Sequence, residues 1–401
     1  MTIDPSMRVA LEHHRAGRIR QAEDAYRRIL ANDPDHAEAL EGLGVLLSNA
    51  GAYSEAIERL QNAIRHQPRS IDAHRFLSRA LLDSGQLDDA LLVLENLLRI
   101  CPDDPAEWNN LGAIQAALNR LVDATTSFRM AIALQPGYRP AIVNLANALA
   151  DTGRDEEVVR LCRQALDIDP DDSSTRFLLS AVAGKQFPDI APRDYVTRLF
   201  DNSATFFDDQ AESLEYRGPA MLRAAFDEVA SRNAGRQFDL GHLDVIDLGC
   251  GTGLCGAAFR DVAGTLIGVD LSARMMQRAR QKGLYTQLLV GELAAVLDAM
   301  PDAFDLLLAA DVFIYIGDLR GVFNGSRASL RSGGLFAFTV ETTDTASQEL
   351  RPTRRYAHSH EYLRSLASDY GFEVVAMNSA PLRMDHERPI EGAAYVLRRK
   401  T

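Results

Sequence analysis

An apolar run ending in a carboxylate leads into three alternating glycines at Val245-Ile246-Asp247-Leu248-Gly249-Cys250-Gly251-Thr252-Gly253. Glycine takes up positive φ without steric cost and lets a ligand approach the main chain. The segment therefore predicts a ligand-binding turn between a strand and a helix. Two further acids follow apolar runs: Asp270 after Leu266-Ile267-Gly268-Val269, and Glu292 after Leu288-Leu289-Val290-Gly291. Carboxylates at those places accept hydrogen bonds from ribose hydroxyls and from an adenine amino group, so the three segments together suit a ligand that carries a nucleoside.

Gly251-Thr252-Gly253-Leu254-Cys255-Gly256 also satisfies the G-x-G-x-x-G dinucleotide pattern, which makes a NAD-dependent oxidoreductase the rival reading. Asp270 lies 17 residues beyond Gly253 and suits either ligand. Asp247 discriminates. A carboxylate there repels a pyrophosphate but attracts the amino group and sulfonium of S-adenosylmethionine.

Methyl transfer from a sulfonium is an in-line displacement with an activated leaving group, so the protein has mainly to align the nucleophile and exclude water. A general base is needed only where the acceptor must lose a proton. Candidates for that role are Asp311, His358 and His360, with Tyr315 and Tyr356 shaping the site. No third residue at ligand spacing accompanies the two histidines, so no metal is expected. Aromatic residues upstream (Tyr195, Phe200, Phe206, Phe207 and Tyr216) suit a lid, because a sulfonium is attracted to π faces; Tyr216 is the first candidate.

The elements that must position these residues follow from apolar periodicity. Strands are predicted at 243–248, 264–270, 286–291, 304–310, 334–341, 372–380 and 391–399, alternating with helices at 253–262, 272–282, 318–331 and 359–370. The last two strands lack an intervening helix and are expected to pair antiparallel across a loop of about ten residues. Upstream, Asp194–Gln210 and Pro219–Ser231 read as amphipathic helices.

The first half is periodic. Pro34, Pro68, Pro102, Pro136 and Pro170 sit 34 residues apart. Twelve residues before each stands a compact side chain (Ala22, Ala56, Ala90, Ala124, Val158), and eight before each a bulkier one (Tyr26, Leu60, Leu94, Phe128, Cys162). Each unit reads as helix, turn, helix, proline, and one such pair cannot bury its own apolar face without stacked neighbours. The stretch from Ser173 is expected to cap the stack. Asn110 and Asn144 hold equivalent positions, matched by Gly42 and Phe76 in other units, and are candidates for clamping a peptide backbone.

The net charge of −13 argues against nucleic-acid binding, and no apolar run reaches the roughly 18 residues of a membrane span. Met1 to His14 lacks a secretory pattern, and the four cysteines form no CxxC pair, so a cytoplasmic location is expected.

Residues 3–172 resemble the tetratricopeptide repeat family. DLGCGTG, GVDLS at 268–272, GEL at 291–293 and AADVFIYI at 309–316 resemble the class I methyltransferases. ARQKGLYTQLLVGEL at 279–293 and the aromatic bridge resemble bacterial methyltransferases that carry such repeats. The resemblance implies a two-part fold: an all-α tetratricopeptide solenoid at 1–183, a helical bridge at 184–235, and an α/β class I domain at 236–401 with a Rossmann-like seven-stranded sheet and a reversed terminal hairpin. By the same likeness Asp247, Gly249, Cys250, Gly251 and Gly253 line the methionine end of S-adenosylmethionine. Asp270 holds the ribose, Leu271 packs on the adenine, Glu292 and Leu293 flank its edge, and Asp311 lies at the rim. The repeats imply a protein or peptide partner, or self-association, and the acceptor is a small molecule or a protein. A scaffold with a non-catalytic cofactor-binding module is the alternative of a different class.

Overall fold

The computed structural model describes residues 4–150, 152–184, 187–232, 242–344, 347–385 and 388–401. They form two compact units, Met1–Pro170 and Asp171–Thr401. Among the described residues no helix is long and apolar enough to cross a membrane.

The first unit is five helix pairs: α1 (Pro5–Arg15) with α2 (Ile19–Asn32), α3 (Ala37–Asn49) with α4 (Tyr53–His66), α5 (Ile71–Asp83) with α6 (Leu87–Ile100), α7 (Pro105–Ala117) with α8 (Leu121–Leu134), and α9 (Arg139–Leu149) with α10 (Asp155–Ile168). Each turn inside a pair passes through one left-handed residue, and these recur at the repeat spacing: Gly17, Gly51, Gly85, Asn119 and Gly153. Asparagine tolerates that conformation best among non-glycine residues, which explains the one exception. The bulky position of each second helix is buried throughout (Tyr26, Leu60, Leu94, Phe128, Cys162). Small residues receive these side chains. A Cβ at Gly44 would lie 2.6 Å from Leu60, and one at Gly112 would lie 2.6 Å from the Phe128 ring. Gly42, which stands where later units have asparagine, is likewise closed off by the Tyr26 ring.

The second unit opens with α11 (Ser173–Ala183), α12 (Arg193–Ser203), α13 (Phe207–Ser213) and α14 (Gly218–Arg232). Then come β1 (Leu243–Leu248), α15 (Leu254–Phe259), β2 (Ala263–Asp270), α16 (Ala273–Lys282), β3 (Gln287–Val290), α17 (Leu293–Asp298), β4 (Phe304–Ala309), α18 (Arg320–Ser329) and β5 (Leu330–Thr342). The chain continues through β6 (Gln348–Leu350), β7 (Tyr356–His358), α19 (His360–Asp369), β8 (Phe372–Asp385) and β9 (Arg388–Arg399). β3, β2, β1, β4 and β5 run parallel in that order, and β9 and then β8 continue the sheet antiparallel. These seven of the sheet's nine strands make the expected arrangement with a reversed end. One apolar cluster packs α17–α19 on one face, and a second packs α14 and α15 on the other.

Several boundaries differ from expectation. The predicted helix 194–210 breaks at 204–206 into α12 and α13. The short pair β6–β7 was not anticipated; β7 joins β5 at Glu341 and Thr342, beyond the end of β4's pairing at Phe338. The predicted loop between the last strands is mostly strand, because a bulge between Pro381 and Arg383 lets β8 run on past the proline. The helix expected to cap the repeats keeps their register, its N-cap Asp172 lying 34 residues after the N-cap Tyr138. Its Phe177 and Ala181 belong to an apolar cluster with Val196 and Tyr356, so the unit boundary falls at 170 rather than 183. The predicted boundary at 235/236 lies outside the described residues.

Gly112→Val forces a side chain into the Phe128 ring and is expected to lower the melting temperature of the chain, at a cost of about 1–3 kcal/mol. Gly137→Ala, whose Cβ meets nothing within 4 Å, is the control and leaves the transition unmoved. Thermal unfolding followed by circular dichroism reads both.

Candidate functional site

A cavity of about 800 Å³ opens in the second unit at the carboxyl ends of the parallel strands. This is where β1 has β2 on one side and β4 on the other, the crevice in which open α/β sheets hold ligands. Its floor is the turn Gly249–Thr252 after β1, Asp270 and Leu271 at the end of β2, Glu292 and Leu293 after β3, and Ala310–Val312 after β4. Leu199, Phe200, Phe206, Phe207, Leu214 and Tyr216, from α12, α13 and the segment after them, line it as well.

The turn is held from beneath and from the side. Gly249, Gly251 and Gly253 all have positive φ. A Cβ at Gly249 would strike Val312, whereas one at Gly251 would meet nothing within 4 Å, so the main chain there borders free space. Asp270 fixes the turn: its Oδ2 accepts from the Gly251 N–H at 2.9 Å and its Oδ1 from the Ser272 N–H at 2.8 Å. Burial raises the Asp270 carboxyl above its ordinary range, against the pull of those amides.

Asp247 lies below this turn. It is fully buried and is not among the cavity's lining residues; nor is Gly253. Strand alternation puts Asp247 on the same face as Val245, where the Tyr285 hydroxyl donates to its Oδ2 at 2.7 Å and Oδ1 has no hydrogen-bond partner. Tyr285 reaches it through a slot made by Gly256 and Gly268, at each of which a Cβ would collide with the ring or hydroxyl. The third glycine of the dinucleotide-like pattern thus makes room for a tyrosine. Desolvation pushes the Asp247 carboxyl up to about 7.

The helices carrying the aromatic residues are latched to the floor by two acids. Asp208 accepts from Thr252 Oγ1 at 2.5 Å and pairs with Lys282 at 2.6 Å. Asp201 accepts from Ser272 Oγ at 2.5 Å. Tyr216 lines the cavity, and burial, with the negative charge of Asp311 adding to it, holds its phenol well above its ordinary value. Phe200 meets Tyr315 edge-on, with ring centres 5.5 Å apart.

Asp311 stands at the rim in the left-handed region (φ 59°), a conformation that costs a non-glycine residue roughly 1–2 kcal/mol. Arg383 Nη1 donates to its Oδ2 at 2.6 Å, while Oδ1 is buried without a partner. Arg383 also pairs with the buried Glu341, which takes a second arginine, Arg351, at 2.9 Å. Burial opposes the charge on Arg383, but Asp311 and Glu341 more than offset it.

Of the residues singled out in the sequence, the structure brings Gly249, Cys250, Gly251, Asp270, Leu271, Glu292, Leu293, Asp311 and Tyr216 together around this one cavity. It sets His358 and His360 apart. His358 is buried, donates from Nε2 to the Gly317 carbonyl at 3.0 Å, and is pushed down to about 4 by desolvation. His360 Nδ1 bonds the Tyr395 hydroxyl at 2.5 Å. Neither lines the cavity, because β7 carries His358 into the sheet and His360 opens α19. Glu292 is exposed and pairs with Arg193 at 3.5 Å. In the repeats, Asn144 donates to Asn109 at 2.8 Å and Asn110 to Glu107 at 3.3 Å, so both amides expected to clamp a peptide already have partners within the unit. Sequence reasoning missed Tyr285, Arg383, Asp201 and Asp208; only Tyr285, beside a recognised motif, carried a local signal.

Comparison with known proteins agrees with this division. Residues 246–338 match a family described as a methyltransferase domain, and residues 10–58, 49–118 and 141–175 match tetratricopeptide repeat families. The chain is 26% identical over 179 residues to malonyl-[acyl-carrier protein] O-methyltransferase of Salmonella typhimurium, an alignment covering 44% of this chain and 66% of that protein. It is 28% identical over 168 residues to cellulose synthase operon protein C of Pseudomonas fluorescens, covering 39% and 13% respectively. It is also similar to the crystal structure of MamA at 21% identity and a TM-score of 0.40, over 42% of this chain and 97% of that one. The alignments thus span from about an eighth to just under two thirds of the curated relatives' length. The chain carries a methyltransferase domain behind tetratricopeptide repeats.

Because the folded chain holds the Asp247 proton up to about 7 whereas an unfolded aspartate releases it near 4, folding binds a proton between those values and stability falls as pH rises through them. Asp247→Asn removes that term. Its melting temperature is expected to rise relative to the parent as pH goes from 5 to 8, by several degrees at the upper end, with no further gain above pH 8. Parallel unfolding curves at all pH values would show that Asp247 ionises freely.

Proposed function

We propose that the second unit binds S-adenosylmethionine and transfers its methyl group to a small-molecule or protein acceptor seated in the same cavity, while the repeats engage a protein or peptide partner or a second copy of the chain. The observation that carries this reading is the floor of the cavity. A glycine whose main chain borders free space, a carboxylate ending β2 and a half-buried leucine beside it form an amide, acid and apolar cradle in chain order.

The residues fit the group on three counts. Asp270 spends one lone pair per oxygen on backbone amides and keeps acceptor capacity for ribose hydroxyls. Leu271 and Leu293 offer apolar surface for a base. The cavity volume falls within the range of about 300–1,000 Å³ typical of small-molecule sites. When bound, the cofactor supplies an electrophilic methyl on a sulfonium. Gly249 to Gly251 hold its amino-acid end, and Tyr216 presents a phenol kept neutral by its surroundings. Phe200 and Phe207 exclude water above. Asp311, with one oxygen fixed by Arg383 and one unpartnered, orients the acceptor. Asp247 lies below the turn and out of direct contact with the amino-acid end, bracing the turn through the Tyr285 hydroxyl.

The test is isothermal calorimetry on the full chain. S-adenosylhomocysteine is expected to bind, NAD not to. Asp270→Ala should weaken binding at least about tenfold, the equivalent of 1.4 kcal/mol. Tyr216→Ala should weaken it less. Binding of NAD in place of the nucleoside would overturn the reading.

A further inference from the structure

The charged groups lining the cavity pair off, with one exception on the half-buried side. Asp311 is matched by Arg383, Glu292 by Arg193, Asp318 by Arg320, and Asp270 is held by backbone amides. Arg355 remains. It stands just before β7, lines the cavity, is half-buried, and forms no ion pair among the described residues. Asp189, the other unpaired group on the lining, is exposed and makes no ion pair with it. Arg355 lies near enough to Tyr315 to act on its phenol, and Tyr315 in turn feels Asp311 and Arg383. Arg355 and Asp311 line the same cavity, and Arg355 is the lining arginine without an acidic partner among the described residues.

The cavity that it lines has largely apolar walls. Leu199, Phe200, Phe206, Leu214 and Ile314 line the same space. A half-buried cation in apolar surroundings lacks the full hydration it would have in water, and an anion that reaches it recovers a charge-assisted hydrogen bond. The planar fork of arginine matches a carboxylate through two parallel N–H bonds.

Resting on the methyl-transfer reading, we propose that Arg355 determines acceptor specificity by binding the carboxylate of a small amphiphilic acid whose apolar part lies against Phe200 and Ile314. A single guanidinium without an acidic partner matches a monoanion. A phosphate monoester carries close to two negative charges at neutral pH and would leave one of them without a partner. The cavity holds a nucleoside and a compact second ligand, not a folded polypeptide.

The experiment is calorimetric titration of hexanoate, octanoate and decanoate into the full chain, with and without saturating S-adenosylhomocysteine. Octan-1-ol, octylamine and octyl phosphate are the comparison probes. At least one carboxylate is expected to bind about tenfold or more tightly than the alcohol and the amine, and more tightly than the phosphate. Arg355→Ala should lose that preference, Arg355→Lys should keep part of it, and both variants should bind S-adenosylhomocysteine within about twofold of the parent. Equal affinity for octanoate and octan-1-ol, tighter binding of octyl phosphate, or a carboxylate preference that survives Arg355→Ala would each overturn the proposal. If S-adenosylhomocysteine fails to bind while a carboxylate still binds through Arg355, the methyl-transfer reading falls and the anion site stands.

Discussion

Both oxygens of Asp270 are tied to backbone amides, one in the turn after β1 and one at the start of α16, and the floor of the cavity depends on that clamp. The turn itself passes through three glycines in conformations that other residues rarely adopt, and those three positions have no side chains to hold them. A chain so free needs an external brace. Asp270 braces it laterally and Tyr285 fills the space beneath. The two residues flanking these points, Thr252 and Ser272, are the ones that receive Asp208 and Asp201 from the helices above. Floor and cover are therefore fastened at the same places. A ligand that orders the turn would also order its cover, which suits a reaction that must exclude water.

Much of this was legible where local chemistry and global fold agree. The 34-residue spacing is legible because each repeat solves the same packing problem: a bulky side chain at one fixed position entering a gap left by a small one at another. The glycine turn is legible because its conformation admits almost no other residue. The succession of strands and helices along the chain followed from apolar runs alternating with amphipathic ones. Even the ambiguity of the second glycine pattern was physical rather than statistical. Gly256 is required by a neighbour distant in sequence, Tyr285, and a local pattern cannot report which neighbour requires it.

What was not legible depends on partners far apart in the chain. Arg383 reaches Asp311 across 72 positions, from a strand whose extension past Pro381 rests on a bulge. Nothing near Arg383 in the sequence marks it. Asp201 and Asp208 read as ordinary solvent-facing acids on an amphipathic helix until the fold places Ser272 and Thr252 opposite them. The histidines erred in the other direction. His358 and His360 follow the fifth predicted strand, where reactive loops sit in such sheets, but a short unpredicted strand, β7, takes the first into the interior.

The chain of charges from Asp311 through the buried Arg383 and Glu341 to Arg351 cannot be explained as a stabilising device. Removing Arg383 and Glu341 from water, with Asp311 and Arg351 half-buried beside them, costs more than their attraction reliably returns, and apolar side chains of similar volume usually serve stability as well or better. The cost is compounded by the left-handed backbone at Asp311. Two unfavourable features at one residue point to a constraint on position rather than on folding. Arg383 takes one oxygen of Asp311 and leaves the other in a buried place without a partner, while Glu341, anchored in the sheet and by Arg351, keeps Arg383 from following a ligand outward. The arrangement holds one acceptor lone pair in a set direction at the rim. With Arg383 neutralised by its own two acids, it leaves Arg355 as the cation still free to take an incoming group. On the proposed reading, a carboxylate for orientation and a guanidinium for anion recognition thus line one cavity without cancelling each other.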